Sequence, residues 1–200
     1  MINGPKYKIC RRLGSGVFEK CQTQKFILSE AKRGKKNKRP KALTDFGVQL
    51  IEKQKIRYTY GLSEKQFSNY VKEAEKVKGI SISDKLFELL ESRLDNVVYV
   101  LGFANSKALA RQMVSHGHFT VNGKKLTIPS YQVKIKDIVK VREGSKGKVL
   151  FADMAKKLKN QSIPNWIKFN LDNLEAEITG KPKNVDSQLN FGAVFEFYSR

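Results

Sequence analysis

Lysine and arginine are the side chains whose number and spacing suggest chemistry most strongly in this 200-residue chain. They number 39 against 19 aspartates and glutamates, which gives a formal charge of +20. The stretch KRGKKNKRPK, residues 32–41, holds seven of these cations and no acid. Self-repulsion at such a charge is normally relieved by an acidic partner. Nucleic acid is therefore the predicted partner class, with an anionic membrane or a heparin-like polymer as alternatives.

The two histidines are weak candidates for catalysis. His116 and His118 flank Gly117 and have no cysteine or carboxylate close to them in the sequence. Metal ligation needs further ligands, and base catalysis usually needs an orienting group. We expect these rings to contact RNA or to occupy turn positions. The segment 14–16, Gly-Ser-Gly, lacks the rest of a phosphate-loop motif and is predicted to be a turn.

The two cysteines, Cys10 and Cys21, are too few for a zinc site without two further ligands. They can form one disulfide, although a reducing cytosol favours free thiols. The sequence contains no run of about 18 apolar residues, the length that a membrane-spanning helix needs. The opening MINGPKYKIC lacks the apolar core of a signal peptide. We therefore expect an intracellular protein that has no membrane partner, no metal and no other cofactor.

The triplet Arg93-Leu94-Asp95 resembles the catalytic aspartate motif of pseudouridine synthases, some of which carry a small RNA-binding module. In those enzymes the motif lies in a separate catalytic domain downstream of the module. Here it falls on the leading helix of a module-like segment. We expect Asp95 to pair with Arg93 or another nearby donor, and we predict no catalytic residue.

Two helices are predicted in the segment 43–78. Thr44 or Asp45 begins the first, because these side chains cap exposed backbone N–H groups. Ser63 and Gln66 form a capping-box pair that begins the second. The apolar residues of the second helix fall on one face and are assigned to the core: Phe67, Tyr70, Val71, Ala74 and Val77.

One long and one short helix are predicted in the segment 83–117. Apolar residues recur along the long helix at spacings near four and seven and form one buried stripe: Leu86, Leu90, Leu94, Val97 and Leu101. The short helix begins at Asn105 and Ser106. Lys107 and Arg111 lie four residues apart and are predicted on its solvent side.

A small antiparallel sheet with one basic face is predicted after the short helix. Asn122-Gly123 is the strongest short hairpin signal, because both turn positions need positive φ. Apolar residues alternate with polar or basic ones on both sides of it: Phe119, Val121, Leu126, Ile128, Val133, Ile135, Val139 and Val141. Residues 149–159 predict a further helix, and residues 174–178 an edge strand. Residues 191–198 have helical spacing but strand-favouring residue types.

The order of these segments resembles the small RNA-binding module of the ribosomal protein S4 family. The module-like string is RLDNVVYVLGFANSKALARQMVSHGHFTVNG, residues 93–123. The likeness extends to FGVQLIEKQKIRYTYGLSEKQF before it, to IPSYQVK and IPNW after it, and to the closing VFEFYSR. It therefore covers nearly the whole chain in the order of the bacterial protein.

Some positions depart from that family. Many members carry four zinc-binding cysteines in the N-terminal arm. Cys10 and Cys21 fall at two of these positions, whereas Tyr7 and Phe26 occupy the other two. The zinc site is therefore expected to be absent, so that RNA and packing alone would order the arm. Lys136 replaces a usual turn glycine, which predicts an altered turn.

The resemblance implies an α+β fold: a helical N-terminal domain with an inserted small antiparallel-sheet-plus-helices RNA-binding module and a basic N-terminal arm. The arm, residues 1–42, shows little regular pattern. The helical rRNA-binding domain is assigned to 43–92, the S4-type module to 93–155, and a C-terminal extension to 156–200. The chain end is expected to pack back on the helical domain.

The resemblance also implies a structural constituent of the small ribosomal subunit, and no enzyme. Such a protein grips the five-way junction of the 5′ domain of 16S rRNA, nucleates 30S assembly and contributes to translational accuracy. Its expected neighbours are small-subunit proteins, notably protein S5, and mRNA near the entry channel. The expected location is the cytoplasm, or an organelle if the chain comes from one.

Two alternatives use the same module. A free-standing RNA-binding factor would leave residues 1–92 unexplained. An RNA-modifying enzyme of the pseudouridine synthase type would need a catalytic domain, for which no stretch of this sequence is left.

Folded RNA junctions are read through phosphates and 2′-hydroxyls, so the predicted RNA-binding residues are mainly basic. In the arm and the helical domain they are Arg11, Arg12, Lys35, Lys36, Lys38, Arg39, Lys53, Lys55, Arg57 and Lys65. In the module they are Asn105, Ser106, Lys107, Arg111, His116, His118, Asn122, Lys124 and Lys125. No metal-binding residue is predicted.

Overall fold

The computed structural model of the chain describes residues 4–32, 42–152, 154, 158, 162–171, 173–183 and 189–199. It divides into two units, residues 1–86 with 185–200, and residues 87–184. Helices occur in both units, and the second also holds a five-stranded antiparallel sheet, which confirms the predicted α+β class. In the described parts of the chain, no helix is both long and apolar enough to cross a membrane.

The N-terminal region is more regular than its sequence suggested. Helix α1 spans Lys6–Leu13 and helix α2 spans Gln24–Ala31, with 3₁₀ turns at Ser15–Val17 and Glu19–Gln22 between them. A small apolar cluster holds these pieces together: Cys10, Leu13, Val17, Cys21 and Phe26. The expectation of little regular structure in this segment is therefore wrong for residues 6–31.

The two cysteines form a disulfide, which corrects the expectation of free thiols. The Cα atoms of Cys10 and Cys21 lie 6.5 Å apart, within the range that a disulfide spans. The rings of Tyr7 and Phe26 lie beside them, with centroids 5.2 Å apart. The four positions at which many family members carry cysteine, 7, 10, 21 and 26, thus lie in one cluster. In this chain a disulfide and an aromatic pair occupy them. No group of three or more His, Cys, Asp or Glu side chains suited to a metal occurs among the described residues.

Helices α3, Asp45–Thr59, and α4, Glu64–Glu75, follow the predicted capping signals. The hydroxyls of Thr44 and Ser63 each accept a hydrogen bond from the backbone N–H three residues on, at 3.2 and 3.3 Å. Helix α10, Phe191–Tyr198, packs against both. The ambiguous chain end is therefore helical, because its aromatic residues have an apolar surface to cover.

The predicted long helix is broken in two, which corrects the expectation of one continuous element. Helix α5 spans Ile82–Glu91 and helix α6 spans Leu94–Val100. At the break the backbone turns to another segment: Leu94 N–H donates to the Tyr131 carbonyl at 2.9 Å, and Val133 N–H donates to the Ser92 carbonyl at 2.8 Å. Apolar spacing continues through the break because the residues on both sides are buried.

Helix α7, Lys107–Ser115, leads into the predicted hairpin. Strand β1 spans Phe119–Val121 and strand β2 spans Lys124–Leu126. Both turn residues between them have positive φ, 51° at Asn122 and 80° at Gly123, as the sequence pattern requires.

The remaining strands differ from the prediction. Strands β3, Ile138–Val141, β4, Ile167–Asn170, and β5, Glu175–Ile178, complete a sheet of order β2-β1-β3-β5-β4. The segment 174–178 is therefore not an edge strand, because β5 pairs with β3 on one side and β4 on the other. Residues 133–135 form no strand in the described structure.

The core of the second unit lies between the sheet and helices α6 and α7. Its fully buried residues include Leu94, Val97, Val114, Phe119 and Val139. Two short helices, Glu143–Lys146 (α8) and Val149–Ala152 (α9), follow β3. Lys136 itself adopts positive φ, 74°, so the turn keeps a left-handed residue despite the missing glycine.

Candidate nucleic-acid interface

The hairpin carries two exposed lysines on an edge strand. Lys124 and Lys125 lie on β2, and both side chains are exposed. Gly117 lets Lys125 lie close to the preceding turn, because a Cβ atom at residue 117 would meet Lys125 Cε at 2.3 Å. Two successive residues of this edge strand thus carry exposed cations that can contact a phosphate backbone.

Asn122 serves the hairpin itself. Its Nδ2 donates to Asp137 Oδ1 at 2.8 Å, and its Oδ1 accepts from the Ile138 N–H at 2.9 Å. Both ends of the amide are thus engaged within the protein. The residue was predicted to contact RNA, but its described hydrogen bonds hold the turn that presents Lys124.

The start of α7 brings three predicted residues together. Asn105 is exposed, and the Ser106 hydroxyl accepts from the Leu109 N–H at 3.2 Å as the predicted cap. Lys107 Nζ lies 5.4 Å from the centre of the Tyr99 ring. This cation on an aromatic face is held near the surface.

Arg111 belongs to a buried ion network, which corrects its predicted place on the solvent side. Its Nε donates to Asp95 Oδ2 at 2.8 Å, and Arg93 donates to both oxygens of the same carboxylate at 3.0 and 2.7 Å. The Asp95 side chain is only 6% exposed. The predicted pairing of Asp95 with Arg93 is confirmed, and a carboxylate so fully engaged is poorly placed to act as a nucleophile.

The two histidines differ in exposure. His116 is exposed, whereas His118 is 6% exposed and its Nδ1 lies 3.0 Å from Ser145 Oγ. Burial, together with the positive charges of Lys148, His116 and Arg142, lowers the pKa of His118 below its ordinary value. The His118 ring packs against Phe151, so little of it is accessible to RNA, and its RNA contact stays a prediction.

Lys53 in the first unit is buried, which corrects its assignment to the solvent side. Its Nζ lies 2.8 Å from Glu64 Oε1 and 4.2 Å from the centre of the Phe197 ring. Its side chain is only 7% exposed. Periodicity within α3 could not reveal this, because the covering ring comes from the last helix of the chain.

Glu64 is the centre of that network. Tyr198 Oη donates to Glu64 Oε1 at 2.6 Å, and Arg57 Nη1 lies 3.6 Å from Oε2. Burial raises the pKa of Glu64, but hydrogen bonds from Lys53 and Tyr198 outweigh it, so the net pKa is lowered. Burial and the same hydrogen bond raise the pKa of Tyr198.

The other predicted cations of the first unit vary in accessibility. Arg12 and Lys65 are exposed. Arg11 pairs with Glu30, and Lys55 pairs with Glu52 on its own helix. The four remaining predicted residues lie outside the described residues: Lys35, Lys36, Lys38 and Arg39.

Several exposed lysines were not among the predicted contacts, including Lys8, Lys134 and Lys136. Lys8 is exposed on α1, and Lys134 and Lys136 are exposed before β3. The alternation of lysine with apolar residues from 133 to 141 was the available signal for the last two. For Lys8 the signal was its spacing of four from Arg12, which becomes meaningful only once α1 is known to be a helix.

Family models and relatives of known identity match almost the entire chain. The model of the "Ribosomal protein S4/S9 N-terminal domain" matches residues 1–91, and that of the "S4 domain" matches residues 92–139. The chain is 42% identical to small ribosomal subunit protein uS4A of Clostridium acetobutylicum and 40% identical to uS4 of Caldicellulosiruptor bescii. It is 41% identical to uS4 of a Roseiflexus species. Each alignment covers 98% of this chain and 98% of its relative.

Proposed function

This chain belongs to the uS4 family of small ribosomal subunit proteins, and we propose that it acts in that subunit as a primary binding protein of 16S rRNA. The observation that carries the proposal is the likeness over 98% of both chains, since it includes both family regions in one order. A free-standing factor that shares only the module would match over that module alone.

A structural role is proposed rather than a catalytic one. The carboxylate that could suggest RNA modification, Asp95, is buried and accepts hydrogen bonds from Arg93 and Arg111. A pseudouridine synthase needs an aspartate free to attack its substrate. The geometry therefore supports a fold-stabilising role for the triplet.

The second unit would bind RNA through the exposed Lys124 and Lys125 and the half-buried Lys107. Lys124 and Lys125 on β2 and Lys107 at the start of α7 are the proposed phosphate contacts, with Asn105 and His116 beside them. A-form RNA hides its major-groove edges, so such a surface reads phosphates and 2′-hydroxyls rather than base sequence.

The first unit would contribute a second set of contacts. Arg12 and Lys65 are exposed and available to phosphate, and Lys8 joins them. The basic stretch 32–41 adds the highest local charge in the sequence. Two units that grip different helices of the five-way junction in the 5′ domain would stiffen it, which is how such a protein would nucleate 30S assembly.

Further consequences belong to the same proposal. A protein fixed at that junction would neighbour small-subunit proteins, notably S5, and mRNA near the entry channel. It would contribute to translational accuracy through these neighbours. In a bacterial cell, as for the relatives above, the location would be the ribosome of the cytoplasm.

Salt dependence of binding to a 16S 5′-domain transcript tests the proposal. If about eight phosphates are neutralised, log K falls with log salt at a slope of roughly −6 to −7. Replacing Lys124 and Lys125 with Gln should make the slope less steep by about 2. A wild-type slope near −1 would show that the basic surface is not the binding surface.

A further inference from the structure

A cavity of about 580 Å³ opens in the first unit, between α1 and α3. Part of its wall is apolar and includes Leu50 and Ile51 of α3. Another part is basic, with Lys8 and Arg12 of α1. Its volume lies within the range of roughly 300 to 1,000 Å³ that is usual for small-ligand sites.

The basic part of the cavity suits an anion. Lys8 and Arg12 are four residues apart and therefore on one face of α1. Both are exposed, and among the described residues no carboxylate pairs with either. None of the described lining residues is acidic. Charges of this kind, one of them a guanidinium, bind phosphate well.

Two of the residues that line the cavity, Gln54 and Arg57, each carry a polar atom without a partner. Gln54 Oε1 and Arg57 Nε are buried and make no hydrogen bond within the described structure. One is an acceptor and the other a donor, and the edge of a nucleobase offers both complements. Beside them the Arg57 guanidinium lies 4.7 Å from the centre of the Tyr58 ring, so planar groups also line the cavity.

We propose that this cavity binds one unstacked nucleotide of the RNA partner. Its phosphate would lie against Lys8 and Arg12, and its base against Gln54 and Arg57. Unstacked bases are commonly held by aromatic and guanidinium planes and by hydrogen bonds to their edges. A bare phosphate would leave the apolar wall uncovered and would leave both polar atoms without a hydrogen-bond partner. The inference rests on the proposed function, because it supposes an RNA partner.

Three variants test the site in the full-length protein. Gln54→Met keeps the side-chain size and the charge but removes the hydrogen-bonding atoms. Lys8→Gln removes one cation from the cavity. Lys25→Gln is its matched control, since Lys25 is also exposed in the same unit but is not among the residues that line the cavity. Circular dichroism melting checks that each variant is folded.

The measurement is filter binding to the 16S 5′-domain transcript across a salt series. Gln54→Met should weaken binding by about 2- to 12-fold, the factor for one lost hydrogen bond, with an unchanged salt slope. Lys8→Gln should make the slope less steep by about 0.7 to 0.9, and Lys25→Gln should leave it unchanged. Because the charge of Gln54→Met is that of the wild type, its effect separates the cavity from general electrostatics.

Photocrosslinking of a 4-thiouridine-containing transcript provides a second readout. Peptides containing Gln54 or Tyr58 should carry the crosslinked nucleotide.

Two results would overturn the proposal. If RNA binds but Gln54→Met matches the wild type and Lys8→Gln matches Lys25→Gln, the cavity is not a nucleotide site, although the proposed function stands. If the wild-type protein fails to bind the transcript at all, the proposed function falls and the nucleotide site with it. A misfolded Gln54→Met still leaves the comparison of the two lysine variants to decide.

Discussion

Arg111 Nε on α7 donates a 2.8 Å hydrogen bond to Asp95 Oδ2 on α6, so the two helices are joined through a buried carboxylate. Arg93 holds the same carboxylate from the other side. Two arginines around one buried aspartate leave it charge-compensated, which a lone buried carboxylate would not be. Arg111, predicted as a surface phosphate contact, thus helps to fix the helix that presents Lys107.

Replacing Arg111 with Ala should destabilise the fold. The substitution leaves Asp95 with only part of its charge-assisted hydrogen bonding, so we expect the free energy of unfolding to fall by about 1–3 kcal/mol. Urea unfolding measures this. Lys124→Ala, at an exposed site of the same unit, is the control and should change stability by less than about 0.5 kcal/mol. Equal stability of the two variants would contradict the structural role.

Replacing Tyr198 with Phe should loosen the last helix. The change removes the hydroxyl that donates to Glu64 at 2.6 Å but keeps the ring beside Phe67. We expect a loss of roughly 1 kcal/mol in the free energy of unfolding, as for one hydrogen bond. Thermal unfolding measures it, with Lys65→Ala on the exposed part of α4 as the control. A Tyr198→Phe protein as stable as the wild type would show that this bond contributes nothing.

Local signals in the sequence predicted much of the fold. Thr44, Ser63 and Ser106 mark helix starts because capping depends on a side chain and a backbone N–H only three residues away. Asn122-Gly123 marks the hairpin for the same local reason. The break after Glu91 was missed because its cause is distant: the backbone near Leu94 pairs with the segment 129–133.

The candidate site shows the same division between local and distant causes. The exposure of cations such as Lys124 and Lys125 could be predicted, because lysine is almost never fully buried unless it is paired. The burial of Lys53 and of His118 could not be predicted, because the residues that contact them lie far along the chain. Phe197 covers Lys53, and Ser145 hydrogen-bonds His118. The cavity beside Lys8 could not be predicted from the sequence either, because its two walls come from α1 and α3, which are distant in the chain.

Acid should destabilise the protein through His118. Its pKa is lowered in the folded state by burial and nearby positive charges, whereas the unfolded chain keeps a value of about 6.5. As pH falls below that value the unfolded chain binds a proton that the folded protein binds only at lower pH, so stability falls. Melting temperatures between about pH 7 and pH 5 should therefore decline, and the decline should be smaller in His118→Asn.

His116→Asn is the matched control for that experiment, because His116 is exposed. Its pH profile should stay closer to that of the wild type than the profile of His118→Asn does, because it removes only one of the positive charges that lower the pKa of His118. A profile in which His118→Asn declines as steeply as the wild type would rule out His118 as the source of acid sensitivity.

Reduction of the disulfide should weaken the N-terminal cluster, whereas a zinc chelator should change nothing. The Cys10–Cys21 bond closes a loop with a sequence separation of 11, for which the expected stabilisation is about 2–3 kcal/mol. Melting with and without dithiothreitol measures this, and Cys10→Ser with Cys21→Ser should reproduce the reduced state. Elemental analysis should find no stoichiometric zinc, since these are the only cysteines in the chain. One zinc per chain, lost on Cys10→Ser, would contradict the prediction.

Sedimentation of the native protein through a sucrose gradient at physiological salt tests the central claim most directly. A structural protein of the small ribosomal subunit should run with 30S particles and should remain there while loosely bound factors are lost. Raising the salt strongly should release it, because its contacts are largely with phosphate. Recovery of the protein only at the top of the gradient, with none in the small-subunit fractions, would contradict the account.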